Sequence, residues 1–185
     1  MREQKIISSK GYVRKLAFAG VIAALYACLT IAAAPIAYGP VQFRFSEALC
    51  ILPFFFPFSI WGLFVGCIAA NLLSTLHILD IVVGPIATLL AALCTMWAGK
   101  YLNRDRFSVK ALACFPPVIF NAVIIGALIA YVTFGSDEPV GFLVAFSWVG
   151  FGQLTVMYLL GLPLMAYLAK SHVLGKLNNL YGGSK

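Results

Sequence analysis

Charged side chains are scarce in this sequence. Asp, Glu, Lys and Arg together account for 10% of the 185 residues, whereas hydrophobic residues account for 62% and the mean hydropathy is +0.97. A soluble domain carries charges at roughly a quarter of its positions, so these charges are too few to cover a water-exposed surface. The low charge content therefore excludes an ordinary soluble domain and predicts an integral membrane protein in contact with the lipid bilayer.

The sequence also lacks the motifs of the common catalytic and metal sites. It contains no Walker-type phosphate loop, no His-Glu-x-x-His and no Gly-x-Ser-x-Gly accompanied by a suitable buried histidine. Its 5 cysteines lie singly within apolar runs, with no Cys-x-x-Cys pair and no Cys/His cluster. We therefore predict no catalytic residue, no metal site and no cofactor, and the chain has no phosphate loop with which to use ATP by itself.

The net charge of +7 comes from Lys and Arg residues that are grouped in three short segments. Of the 13 Lys and Arg residues, 12 fall in residues 1–15, 100–110 and 170–185, which flank apolar runs, and Arg44 alone lies elsewhere. A nucleic-acid-binding face concentrates its positive charges on one surface, whereas the cytoplasmic loops of membrane proteins carry an excess of Lys and Arg. We predict that the three segments are cytoplasmic and that the chain binds no nucleic acid.

Five apolar segments lie between these basic regions. They are residues 16–34, 48–79, 81–99, 107–134 and 141–169. A transmembrane helix needs roughly 20 residues, so four of the segments have the length of single spans. Residues 48–79 are longer and contain no Lys, Arg, Asp or Glu. If residues 1–15 and 100–110 are both cytoplasmic, this longer segment must cross twice or not at all. Thirty-two apolar residues that never cross would be hard to place, so we predict two short helices that turn near residues 57–59.

The resulting prediction is an all-α membrane protein with six transmembrane helices and cytoplasmic N- and C-termini. The six-helix domain covers residues 16–170, between a basic N-terminal segment (1–15) and a C-terminal tail (171–185), and we expect it to lie in the cytoplasmic membrane of a bacterium. External loops are expected at residues 35–46, 75–80 and 134–141. A cleaved signal peptide over residues 1–34 is the alternative for the first apolar run, which is longer than the usual h-region of about 7–15 residues.

Small residues line one face of the first predicted helix. Ala19, Ala23 and Ala27, the alanine stripe, recur every four residues. In lipid, such stripes let helix backbones approach closely. Two interpretations stay open, which are packing within the chain's own bundle and docking to another membrane protein.

Ionisable residues at the predicted membrane ends are candidate ligand-binding groups. A charge at the bilayer centre costs roughly 2.5–3.5 kcal/mol on insertion scales, so Glu47, at the start of the second helix, requires an explanation. Glu47 either caps its helix and pairs with Arg44, or it meets a ligand by accepting N–H groups or by opposing a cation. Asp80, at the start of the fourth helix, is likewise a helix cap or a ligand-binding group.

Amide side chains within the apolar segments form a second class of candidates. Asn71, Asn121 and Gln153 lie where an unsatisfied amide is costly. Interhelical hydrogen bonds and contacts with a ligand would both satisfy them. Trp148 either stacks on a planar ligand or belongs to the aromatic belt at the membrane interface.

Three stretches carry a resemblance to a known family. They are Tyr-Gly-Pro-Val-Gln-Phe-Arg-Phe-Ser-Glu-Ala-Leu-Cys-Ile-Leu-Pro at residues 38–53, Gly-Leu-Phe-Val-Gly-Cys-Ile-Ala-Ala-Asn at 62–71, and Asp-Ile-Val-Val-Gly at 80–84. They resemble the QueT family, whose members are substrate-binding S components of energy-coupling factor (ECF) transporters and are linked to the uptake of queuosine precursors. The resemblance extends over residues 12–169.

This resemblance implies a six-helix bundle with both ends inside and three partner subunits, namely a coupling transmembrane subunit and two ATPases. It implies that the alanine stripe contacts the coupling subunit and that the ligand is a deazaguanine base or its nucleoside. The guanine-like edge of such a ligand presents adjacent N–H donors, which one carboxylate accepts together. Glu47 is expected to take this role, with Asn71 or Asn121 satisfying other polar edges.

The main alternative is a self-sufficient secondary carrier or channel that is coupled to an ion gradient. The sequence shows neither a relay of Asp, Glu and His across the membrane nor a convincing inverted repeat, and both would favour that alternative. A membrane enzyme is a third alternative, for which the sequence supplies no nucleophile or metal constellation.

Overall fold

A computed structural model describes residues 2–39, 41–74, 78–135, 139–171 and 175. These residues fold into helices and contain no strand, so the prediction of an all-α fold is confirmed. In chain order the elements are α1 (Arg2–Ala32), α2 (Ala34–Ala37), a 3-10 helix (Phe45–Phe54), α3 (Ser59–Asn71), α4 (Asp80–Tyr101), α5 (Phe107–Ala113), α6 (Phe115–Phe134), α7 (Pro139–Val156), a π-helical turn (Met157–Gly161) and α8 (Leu162–Lys170). Residues 75–77 and 136–138 of the predicted external loops, and most of the predicted tail 171–185, lie outside the described residues.

Within the described part of the chain, four helical stretches are long and apolar enough to cross a membrane. They are Gly11–Ala32, Asp80–Tyr101, Phe107–Phe134 and Pro139–Lys170. The first two contain 22 residues each. At 1.5 Å per residue they are about 33 Å long, which matches a hydrocarbon core of about 30 Å. The number and length of these stretches are those of a multi-pass membrane protein.

The long apolar segment 48–79 is divided between two short helices, and Pro57 lies in the turn between them, as predicted. The first is a 3-10 helix of 10 residues that begins at Phe45, earlier than predicted, and the second is α3, with 13 residues. Each is only about 20 Å long at rises of about 2.0 and 1.5 Å per residue. Cys50 and Phe54 of the 3-10 helix are fully buried, whereas Phe45 at its start is 38% exposed, so most of this helix lies inside the bundle.

Small residues bring α1 and α3 into close contact. Ala19 is 5% exposed, and a Cβ atom added at Gly62 would lie 2.5 Å from its carbonyl oxygen. A Cβ atom added at Gly66 would lie 2.8 Å from the carbonyl oxygen of Ala23. Two members of the alanine stripe therefore pack within the bundle, whereas Gly20, also on α1, is exposed and has open space around it.

We expect the substitution Gly66→Ala to lower the thermal stability of the purified protein in detergent. Extra methylene groups forced into packed interiors cost about 1–3 kcal/mol, and the carbonyl of Ala23 belongs to a helix backbone that cannot easily move. The matched control is Gly20→Ala, the same chemical change on α1 with no atom within 4 Å of the new Cβ. Equal unfolding midpoints for the two variants would contradict this α1–α3 contact.

Candidate functional site

Residues 41–46, the inserted segment, enter the bundle after α2 and include the first two residues of the 3-10 helix. Gln42, Arg44 and Ser46 are each at most 1% exposed, whereas Phe45 is 38% exposed. Arg44 has an extended backbone, with φ −83° and ψ 94°, and successive side chains of an extended chain point to opposite faces. The alternation of polar and aromatic residues therefore buries the polar side chains, so this part of the predicted external loop 35–46 is an internal segment.

Glu47 is fully buried and accepts hydrogen bonds from α1, from α4 and from its own helix. The Tyr26 hydroxyl donates to Oε1 at 2.5 Å, the Cys50 thiol donates to Oε2 at 3.1 Å, and the Thr88 hydroxyl donates to Oε1 at 3.4 Å. A thiol is a weak donor and each carboxylate oxygen has two lone pairs. The carboxylate is therefore held in position, and its capacity to accept further N–H groups lies at Oε2, whose one partner is the weak thiol donor, and at Oε1 in place of the long contact with Thr88.

The predicted pairing of Arg44 with Glu47 is wrong, because Arg44 pairs with Asp80. Arg44 Nη2 lies 3.0 Å from Asp80 Oδ2, and the two side chains are 1% and 0% exposed. Arg44 precedes the 3-10 helix in an extended conformation, so the helical three-residue spacing that would bring it to Glu47 does not apply. Burial lowers the pKa of Arg44, but Asp80 and the acidic groups of Tyr26, Cys67 and Glu47 together raise it, so the net pKa is raised and the guanidinium stays charged.

Side chains from the end of α3 hold Asp80 at the start of α4. Ser74 Oγ donates to Asp80 Oδ2 at 2.8 Å, and Asn71 Nδ2 donates to the backbone oxygen of Asp80 at 2.8 Å. A Cβ atom at Gly84 would overlap the Asn71 amide, so the glycine makes room for this contact. The stretches 62–71 and 80–84, which carry part of the family resemblance, therefore meet here, and the ion pair replaces the predicted helix-capping role of Asp80.

Tyr38 covers the guanidinium from the other side. The Cζ atom of Arg44 lies 5.4 Å from the centroid of the Tyr38 ring, which is within the range of a cation–π contact. The Tyr38 hydroxyl donates to the backbone oxygen of Ala70 at 2.6 Å. Burial raises the pKa of Tyr38, so its hydroxyl stays protonated and remains a donor.

These contacts define a buried polar cluster. Its members are Tyr26, Arg44, Glu47, Asn71, Asp80 and Thr88. The cluster holds two carboxylates and one guanidinium, so an ionised Glu47 is a surplus negative charge with only neutral hydrogen-bond partners. Because an uncompensated buried charge is costly, Glu47 is the member that gains most from a ligand that brings N–H donors or a positive charge.

Two buried glutamine side chains outside the cluster, those of Gln42 and Gln153, have unpaired amide atoms among the described residues. Gln153 is fully buried, and in the described part of the chain neither its Nε2 nor its Oε1 has a hydrogen-bond partner. Gln42 is 1% exposed, and its Nε2 also lacks a partner there. A Cβ atom added at Gly152 would overlap the Gln42 carbonyl, so the inserted segment rests directly on α7 next to Gln153. Leaving a buried polar group unpaired costs about 1–3 kcal/mol.

The other two predicted site residues are placed differently. Asn121 is 1% exposed, but its Nδ2 donates to the backbone oxygen of Pro117 in its own helix at 2.9 Å. Trp148 is 39% exposed, so its ring lies at the outer surface of α7, where an aromatic-belt residue is expected.

Sequence reasoning missed Tyr26, Thr88 and Gln42. Tyr26 and Thr88 are single polar positions on otherwise apolar helices, and only their burial beside Glu47 distinguishes them from packing residues. The burial of Gln42 had a visible signal, because polar and aromatic residues alternate in Gln-Phe-Arg-Phe-Ser at 42–46.

Comparisons with known proteins point to one family. A family model described as the QueT transporter matches residues 16–170, which include every member of the polar cluster. The chain belongs to the QueT transporter family. A relative from Lactococcus lactis subsp. cremoris (strain MG1363), named queuosine precursor transporter QueT, is 29% identical over 143 residues, which cover 75% of this chain and 83% of the relative. No solved structure gave a significant match.

Membership of the QueT family confirms the resemblance drawn from residues 38–53, 62–71 and 80–84. QueT proteins are transporters, so the prediction that the chain is not an enzyme is also confirmed.

We expect Asp80→Ala to destabilise the protein strongly, because it leaves the Arg44 charge buried without its partner. Removing one member of a buried ion pair costs about 3–5 kcal/mol. The double variant Arg44→Met with Asp80→Leu removes both charges and should unfold at a higher temperature than Asp80→Ala alone. Thermal unfolding in detergent tests this order, with Asp105→Ala at an exposed position as the control, and a double variant less stable than the single one would contradict it.

Proposed function

We propose that this chain is the substrate-binding S component of an ECF-type ABC importer. It captures a queuosine precursor, a deazaguanine base or its nucleoside, outside the cell for ATP-driven uptake by partner subunits. The observation that carries the proposal is a buried carboxylate, Glu47, held by fixed donors in a QueT-family chain. The name of the Lactococcus relative supports the choice of ligand class.

Glu47 suits the guanine-like edge of such a ligand. A carboxylate accepts two adjacent N–H groups in a bidentate arrangement, and this arrangement is directional as well as strong. Tyr26 and Cys50 each hold one oxygen of the carboxylate, so little side-chain freedom would be lost on binding. Arg44 and Asp80 contribute by fixing the inserted segment that leads to Glu47.

The proposed topology has six spans with both termini in the cytoplasm. The 3-10 helix and α3 would cross as a pair of short helices between the first and second long stretches. This count keeps the basic residues 1–15 and 100–110 on one side, as the distribution of Lys and Arg favours. The short helices would be accommodated by burial and by local thinning of the bilayer.

Energy would come from partner subunits, since the sequence has no Walker-type phosphate loop. The proposed partners are a coupling transmembrane subunit and two ATPases. We propose that the coupling subunit contacts α1 along the alanine stripe. Ala19 and Ala23 already pack on α3 and Ala27 is half-buried, so the exposed small residues beside the stripe, Gly20 and Ala24, would carry much of this contact.

We expect Glu47→Gln to weaken binding of the preferred deazaguanine at least tenfold, because an amide accepts at one atom where the carboxylate accepts at two. Titration calorimetry of the purified chain with queuine and its cyano- and aminomethyl-deazaguanine precursors measures the effect. The matched control is Asp105→Asn, the same carboxylate-to-amide change at an exposed site. Unchanged affinity in a folded Glu47→Gln protein would remove Glu47 from the site.

The dependence on partners is tested in vesicles. The chain alone should bind the deazaguanine but not accumulate it, with or without an ion gradient. Co-reconstitution with the coupling subunit and the two ATPases should give uptake that requires ATP. Uptake by the chain alone, driven by an ion gradient, would instead identify a stand-alone secondary carrier.

A further inference from the structure

We propose that Gln42 and Gln153, the amide pair, form a second polar anchor of the ligand site. They would donate hydrogen bonds to the ring carbonyl of the ligand, whereas Glu47 would accept hydrogen bonds from its N–H groups. This inference rests on the function proposed above. It adds two residues that determine which ring edge is accepted.

The first observation is that both side chains are buried without complete pairing. Gln153 is 0% exposed with both amide atoms unpartnered, and Gln42 is 1% exposed with Nε2 unpartnered, among the residues that the structure describes. Buried polar groups in proteins are nearly always hydrogen-bonded, so each exception needs an explanation, such as strain, a functional role or a bound water. Two such amides, one on the inserted segment and one on the helix against which its backbone packs, are therefore a stronger signal than either one alone.

The second observation is their position. Gly152 has no side chain, and this allows the backbone of Gln42 to lie directly on α7. Arg44, two residues further along the inserted segment, has its own unpartnered Nε atom, and Glu47 follows at the start of the 3-10 helix. The unpaired N–H groups of Gln42 and Arg44 and the carboxylate of Glu47 thus belong to one continuous stretch of chain. Gln153 belongs to α7, against which this stretch packs.

The third argument is chemical complementarity. An ionised carboxylate only accepts hydrogen bonds, so Glu47 can satisfy the N–H groups of a guanine-like edge but not its carbonyl oxygen, which is an acceptor. A glutamine amide supplies two N–H donors and one carbonyl acceptor. The amide pair therefore provides the donors that a guanine-like ring needs and that Glu47 cannot provide.

This assignment predicts that affinity and stability change in opposite directions. An unpaired buried amide destabilises the ligand-free protein, and replacing it with an apolar side chain of similar shape removes that cost. We expect Gln153→Met to unfold at the same or a higher temperature than the wild type without ligand. The same variant should bind the deazaguanine at least tenfold more weakly.

The experiment measures ligand-free thermal unfolding and calorimetric affinity for wild type, Gln153→Met and Gln42→Met, with the three deazaguanines named above as probes. The matched control is Thr155→Val on α7, which also replaces a polar group with an apolar one of similar size. The Thr155 hydroxyl is paired with the Phe151 carbonyl at 2.8 Å. This control should leave affinity unchanged.

The outcomes separate this inference from the proposed function. If the folded wild type binds none of the probes, the proposed function fails. Two results with a binding wild type would contradict the anchor. In one, both methionine variants keep the wild-type affinity; in the other, both lose thermal stability without ligand, which would make the amides structural. If either variant binds at least tenfold more weakly while its ligand-free unfolding temperature is maintained or raised, the anchor is supported.

Discussion

The ion pair between Arg44 and Asp80, 3.0 Å long and closed off from solvent, is the contact on which the arrangement of the site depends. Neither charge can be buried alone without a large free-energy cost, so the inserted segment and the start of α4 must meet. Asn71 and Ser74 add the end of α3 to the same point. Once these three parts of the chain are joined, the positions of Gln42 and Glu47 on either side of Arg44 follow.

The long and the short helices of the bundle have different roles. The long helical stretches match the thickness of a bilayer, whereas the enclosed 3-10 helix carries Glu47 and Cys50. Glycines allow the close approaches that this design requires. Gly66 brings α1 near α3, Gly84 admits the Asn71 amide, and Gly152 receives the inserted segment. At each position the missing side chain makes room for a polar or backbone group of a neighbouring element.

Much of the fold was predictable because it depends on properties summed over many residues. The scarcity of charge, the lengths of the apolar runs and Pro57 predict the all-α membrane fold and the break in residues 48–79. Glu47, Asp80 and Asn71 were identified as candidates because polar groups in lipid need a partner. The partner of Arg44 was not predictable, since it depends on the extended backbone of one residue in the predicted external loop 35–46.

Other parts of the site depend on helix rotation, which composition does not determine. A small residue such as Ala23 suits an internal contact and a docking face equally well. Only Gly66, opposite it on α3, shows that Ala23 packs within the bundle. Trp148 and Gln153 lie on the same helix, yet one is 39% exposed and the other is fully buried. Gln42 was missed because an external loop was expected where the chain turns inward.

The alternation in the inserted segment makes its length as important as its composition. Gln42 and Arg44 face protein, whereas Phe45, at the start of the 3-10 helix, faces outward, because the side-chain direction of extended chain, as at Arg44, repeats every second residue. Insertion or deletion of one residue ahead of Arg44 would exchange the two faces, as a register slip does in a strand. The guanidinium would then face outward and a phenyl ring would face Asp80. In related chains this segment should therefore vary by substitution while keeping a constant number of residues.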